Sequence, residues 1–298
     1  MKKEIWLYLI GAFFMLVLYS VSIHEFYGEW VSEHLDAVHT IPKECKSGAN
    51  LPKEICEEYE YYLNKYDDKK PDAFTGFYNS VLIDIRLCDI FALLICFTSI
   101  YFISKEFKGK TLYTYLQRND YKSYIKRIFK RAYKYILYYI PVFLVIFLIC
   151  VCLSGNFDIN LALDVGFFTW PEIYRENAII NTVLFLLNYV LLNSILISLA
   201  LMCVRKFINP IISTLAAYLS YVVLCAGSEI IGYGIYKIFD LDIIKYLNIM
   251  NAPYNVDLVM WKYSLFLFFV AGILFLITWL IYKNKEKMII SLEKYSKE

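Results

Sequence analysis

Tyr263 to Tyr282 reads YSLFLFFVAGILFLITWLIY, twenty residues without a charge, flanked by Lys262 and Lys283. A helix rises about 1.5 Å per residue, so such a run crosses the roughly 30 Å hydrocarbon core of a bilayer once. A soluble surface helix of this length carries a charged face, and this run has none. It reads as a transmembrane helix.

Five further windows follow the same rule. They are Ile5 to Ile23, Val81 to Ile103, Ile136 to Leu153, Ala178 to Val204, and a run that starts at Ile211 and fades between Cys225 and Ile235. The runs alternate with polar segments and show neither the amphipathic helix period nor strand alternation, so an all-α membrane bundle of six helices follows. Composition agrees. The chain is 59% hydrophobic and 19% charged, where a soluble domain carries about 25% charge. Met1-Lys2-Lys3-Glu4 precedes a run longer than a secretory h-region, and no small-x-small site follows it. The first run is therefore expected to be a retained signal-anchor.

Charge distribution gives an expected orientation. Ser104 to Tyr135 holds ten basic and two acidic residues. With both chain ends and the Arg205-Lys206 link, that side carries nineteen Lys and Arg. The loops on the other side hold ten over many more residues. The positive-inside rule puts both termini and residues 104–135 in the cytoplasm. Residues 24–80 then form an outer loop with twelve Asp and Glu against six Lys. The abundance of Lys, Ile, Tyr and Asn suggests a bacterium with an AT-rich genome, and hence the plasma membrane. The cytoplasmic tail is 283–298.

The segment after the second span is SKEFKGKTLYTYLQRNDYKSYIK, Ser104 to Lys126. Here the chain resembles the ABC transporter type-2 permease family. That family places a Glu at the cytoplasmic end of its second span. A Gly-Thr pair, a Leu-rich turn, a polar turn and a Tyr/Lys-bearing helix come next. Glu106, Gly109, Thr111, Leu112, Leu116 and Tyr121 to Lys126 take those places. Gly109 comes one position early, and Lys110 stands where the family has its Gly. The six-span layout of the whole chain, 1–298, fits a single permease domain of the same kind.

The resemblance implies that 104–135 is a coupling region. Glu106 to Leu116, with Lys108 and Lys110, is expected to dock on an ATPase. It implies two copies of that ATPase subunit, which hold the ATP and Mg, and a second permease, identical or different. This chain would bind no cofactor and catalyse no reaction, and nucleic acid is not among its expected partners. The cargo implied is an amphiphile: a peptide such as a bacteriocin, a lipid, or a drug. Small size and an acidic outer loop favour a peptide exporter or immunity pump over a polysaccharide exporter.

Other residues were weighed beside this. Gly109-Lys110-Thr111 matches the end of a P-loop, but residue 104 is Ser where the motif needs Gly, and no βαβ pattern surrounds it. His24, His34 and His39, with Glu25, Glu29, Glu33 and Asp36, lack a zinc-site spacing and read as solvated loop residues. Cys45 and Cys56 share the outer loop, where a disulfide is expected. Cys88, Cys96, Cys150, Cys152, Cys203 and Cys225 lie in apolar windows as small hydrophobes. Asn50-Leu51-Pro52 caps an expected helix from Lys53 to Tyr66, and Glu25 to Val38 reads as another.

Intramembrane charges cost about 2.5–3.5 kcal/mol each near the bilayer centre. Asp84, Arg86, Asp89 and Glu229 are therefore candidates for a polar lining of the translocation path, the alternative being paired or snorkelling residues at the outer interface. Arg86 and Asp89 share a helical face. Ile230 to Met250 is a candidate re-entrant segment. The rival readings are an intramembrane protease, for which no pair of catalytic groups stands on two facing spans, and an accessory or sensory membrane protein.

Overall fold

The computed structural model describes residues 2–47, 52–57, 60, 73–77, 85–108, 115, 120–155, 178–239, 260–285 and 288–289. Among these it is helical, with no strand. The main helices are α1 (Lys2–Glu25), α2 (Val31–Lys46), α3 (Ala73–Phe77), α4 (Ile85–Lys108), α5 (Tyr121–Ser154), α6 (Ala178–Lys206), α7 (Pro210–Phe239) and α8 (Met260–Lys283). Six of them, α1 and α4 to α8, are long and apolar enough to cross a membrane. The protein is a membrane protein on that architecture, because only such runs bury every backbone polar group in hydrocarbon.

Three expectations are corrected. The first span and the helix from Glu25 to Val38 were expected as separate elements. Instead α1 passes through a π-helical turn, Phe26–Trp30, straight into α2. Leaving the apolar run is not a helix stop, and the Glu-rich sequence that follows supports a helix in water as well. The second correction is span five, which was expected to break near its glycines. α7 is unbroken from Pro210 to Phe239, so residues 230–239 continue the span rather than re-enter. Each interior Gly costs about 1 kcal/mol in a helix, less than leaving backbone groups unbonded in an apolar medium. Residues 240–250 lie outside the described residues. The third concerns α5, which begins at Tyr121 rather than Ile136, so its basic stretch and its apolar run are one helix of 34 residues. α4 likewise runs on to Lys108.

Helix ends have local causes. Asn209 caps α7: its Oδ1 accepts from the Ile211 N–H at 2.9 Å, and Pro210 takes the first helical position. Gly155 ends α5 with φ +65°, its N–H donating to the Val151 carbonyl at 3.0 Å. Hydroxyls inside the spans turn back on their own helices. Thr98 donates to the Leu94 carbonyl, Ser194 to Val190, Thr214 to Pro210 and Ser220 to Ala216.

The chain divides into two compact units. The first comprises Met1–Phe13, Cys88–Pro141 and Ile180–Glu298. Its core joins Leu191 and Ile195 of α6, Cys225 of α7, and Tyr263, Leu267 and Ala271 of α8. Phe91 of α4 meets Tyr139 of α5 edge-on at 5.2 Å and stacks on Tyr189 of α6 at 5.5 Å. α1 joins through Gly11. A Cβ there would lie 2.4 Å from the Tyr139 hydroxyl oxygen and 2.6 Å from Leu94 Cδ2, so only glycine admits this approach.

The second unit comprises Phe14–Leu87 and Val142–Ile179. α3 buries Ala73 and Phe77 in it, with Phe74 and Phe77 packed on Phe147 of α5 at 5.0 and 5.6 Å. A disulfide joins Cys45 of α2 to Cys56 of a helical turn at 53–57, with Cα atoms 6.0 Å apart.

Candidate functional site

The polar interactions that tie helices together concentrate where α4 ends and α5 begins. Asp120 starts α5 as its cap. Its carbonyl accepts from the Tyr124 N–H at 3.3 Å. The Ser123 hydroxyl donates to the Asp120 carboxylate and holds its pKa below the usual carboxylate range.

One turn further, α5 presents Arg127 and Arg131, four residues apart on one face. Both reach Glu106, in the last turn of α4. Arg127 Nη2 donates to Glu106 Oε1 at 2.8 Å, and Arg131 Nη1 donates to the same oxygen. Glu106 is buried, its side chain 8% exposed, against 21% for Arg131 and 50% for Arg127. The Arg127 guanidinium lies 5.4 Å from the Tyr115 ring centre and that of Arg131 5.3 Å from Phe102. Burying a carboxylate is costly unless cations and hydrogen bonds replace its water, and these two guanidiniums supply both.

The neighbouring helices are tied at the same end. The Tyr121 hydroxyl donates to the Tyr282 carbonyl of α8 at 2.6 Å. The Tyr282 hydroxyl donates in turn to the Leu201 carbonyl of α6 at 2.7 Å, and Arg205 Nη1 to the Ile281 carbonyl at 3.1 Å. Ser104 of α4 donates to the Ile208 carbonyl. Tyr133 and Ser198 share a 2.6 Å hydrogen bond. Two of these bonds, to the Ile281 and Tyr282 carbonyls, end on groups that the last turn of α8 leaves without an intrahelical partner.

Of the residues expected to form a docking surface, Glu106 is turned inward and locks α4 to α5. Lys108 is exposed at the end of α4. Gly109, Lys110, Thr111, Leu112 and Leu116 lie outside the described residues. So does Asp84. Arg86 and Asp89 fall in the first turns of α4, but their side chains are not among those described. Glu229 is exposed on the surface of α7. His24 is exposed at the end of α1 and His39 half-buried on α2.

Reading the sequence did not single out Arg127 and Arg131. The signal was an R-x-x-x-R pair on a basic stretch, a short connection away from a lone Glu at the end of an apolar run. No family model, no characterised protein and no solved structure matches the chain.

Proposed function

We propose that this chain is the membrane-spanning permease subunit of an ATP-driven exporter of the type-2 ABC kind. It moves an amphiphile out of a bacterial cell and draws its energy from a separate ATPase subunit. A second permease completes the path, and both chain ends are cytoplasmic.

The observation that carries the reading is the clamp of Glu106 by Arg127 and Arg131. A permease without its own ATPase must receive force at a polar loop and pass it to its spans. The connection 109–119 joins two helices whose ends are held together by a shared buried charge. A push on that connection therefore moves α4 and α5 as one lever. The Tyr121, Tyr282 and Arg205 hydrogen bonds extend the lever to α8 and α6. Six apolar helices and a strongly basic end support the same reading.

The test is purification of the tagged chain from its source membrane in mild detergent. A stoichiometric ATPase with vanadate-sensitive turnover is expected, and Lys108→Glu with Lys110→Glu should abolish its retention while the chain stays folded. A folded chain that retains no ATPase sinks the proposal.

A further inference from the structure

The register of α5 against α8 places charge beside an apolar surface. Tyr121 is bonded to the Tyr282 carbonyl, and Phe129 packs on Phe275, Trp279 and Tyr282 at 5.3 to 5.6 Å. The first turns of α5 thus run beside the last two turns of α8. Before Lys283 those turns of α8 carry no charge, and they expose Leu276, Ile277 and Leu280.

Lys122, Lys126 and Lys130 are exposed on α5 beside this apolar surface. Tyr121 to Lys130 is nine residues, about 13 Å along the axis, so Lys130 lies that far beyond the level of Tyr282. At 100° per residue the three lysines share one face. It lies between the face that meets α8, with Tyr121 and Phe129, and the face that meets α4, with Arg127 and Arg131. The lysine face therefore opens between α4 and α8. Among the described residues no ion pair reaches Lys126 or Lys130, while Arg127 and Arg131 share the carboxylate of Glu106. The same face of α5 continues into Leu137, which is 60% exposed.

We infer that Lys122, Lys126 and Lys130 hold the phosphate headgroup of an anionic phospholipid drawn in from the leaflet at this end of the bundle. Cations flanked by lipid-facing leucines are costly without a counter-charge, and a phosphate supplies one. The exposed Leu137, Leu276 and Leu280 suit the lipid's tails. A soluble acidic protein would meet those leucines unfavourably, so a lipid fits the surface better. As a headgroup site this stands alone. As the entry point of the cargo, which would make that cargo an anionic amphiphile, it rests on the exporter reading.

The test uses the full chain in detergent, titrated with fluorescent phosphatidylglycerol or phosphatidylcholine. Each lysine near an anionic headgroup is worth about fivefold in affinity. Lys126→Gln with Lys130→Gln should therefore weaken phosphatidylglycerol binding about 25-fold and leave phosphatidylcholine unchanged. Lys206→Gln, a charge loss on another helix, should change neither, and millimolar inorganic phosphate should not displace the lipid. Equal weakening by Lys206→Gln would reduce the effect to bulk charge and overturn the site. Displacement by inorganic phosphate alone would overturn the lipid assignment. A double variant that binds lipid normally but loses a co-purifying ATPase would show the face to be a protein surface and overturn the inference. Because the titration needs no ATPase, failure of the exporter reading leaves its result intact.

Discussion

The end of the bundle where α4 meets α5 and the acidic region after α1 are held together by different forces. The first is joined by groups far apart in sequence: Glu106 with Arg127 and Arg131, Tyr121 with Tyr282, Arg205 with Ile281. The second uses the Cys45–Cys56 disulfide, a 3.0 Å ion pair of Lys46 with Glu60, and the Tyr27 ring laid over Gly76. A buried charge clamp is strong and directional, and it is lost when one partner is lost. A disulfide closing a short loop holds whether or not the surrounding side chains stay packed. The contrast separates a region tied by side chains of different helices from one held by a covalent link.

The sharpest way to break the comparison is Glu106→Gln. It removes the carboxylate that two guanidiniums share, and a loss of about 3 kcal/mol is expected, read as a lower melting temperature in detergent. Arg127→Ala should cost no more than about 1 kcal/mol, because that guanidinium is half exposed and already partly hydrated. Equal effects from the two would mean that burial is not what gives the clamp its strength.

Cys45→Ser comes next. A loop of this size contributes about 2–3 kcal/mol through the entropy of the open chain. The loss should appear as faster proteolysis of residues 31–57 with the bundle's melting unchanged. If the bundle melts earlier instead, the two regions are not independently held.

Gly76→Ala should cost about 1–3 kcal/mol by overpacking, since its Cβ would fall 1.9 Å from the Tyr27 hydroxyl oxygen. Combining it with Tyr27→Ala should recover part of the loss, and no recovery would mean that the ring is not the obstacle.

The smallest effect concerns Asp120. Its pKa is lowered in the folded chain. Its cap therefore contributes fully above the ordinary carboxylate value near 3.9 and is lost as pH falls through the lowered one. Stability should be flat from pH 7 to 5 on this account and decline only in more acidic solution. Ser123→Ala should remove that acid-side decline, which a melting series against pH would reveal.

Much of the fold is legible in the sequence, for a physical reason that also sets the limit. An apolar run of twenty residues has one low-energy answer in a bilayer. α8 accordingly differs from its expected span by three residues at one end and one at the other. α7 shows where the rule is overridden, because Gly227, Gly232 and Gly234 look like a break in a water-based reading and are tolerated inside an apolar helix. α5 shows the converse: its lysines end the hydrophobic window at Ile136, yet the helix continues through them. Of the candidate site, Glu106 was visible through the resemblance of Ser104 to Lys126 to a coupling segment. Its direction was not, because whether a carboxylate faces a partner or its own chain depends on what the next helix brings beside it.

The sequence by itself determined that the chain enters the membrane, by which six runs, and that one end is far more basic than the other. These are sums over local composition, which solvation free energy reads residue by residue. Only the tertiary structure decided that Glu106 is an internal clamp, that α1 and α2 form one long helical path, and that three lysines of α5 lie beside apolar turns of α8. Those facts depend on the axial register between helices. Side-chain packing and hydrogen bonds such as Tyr121 to Tyr282 set that register, and no single segment encodes it alone.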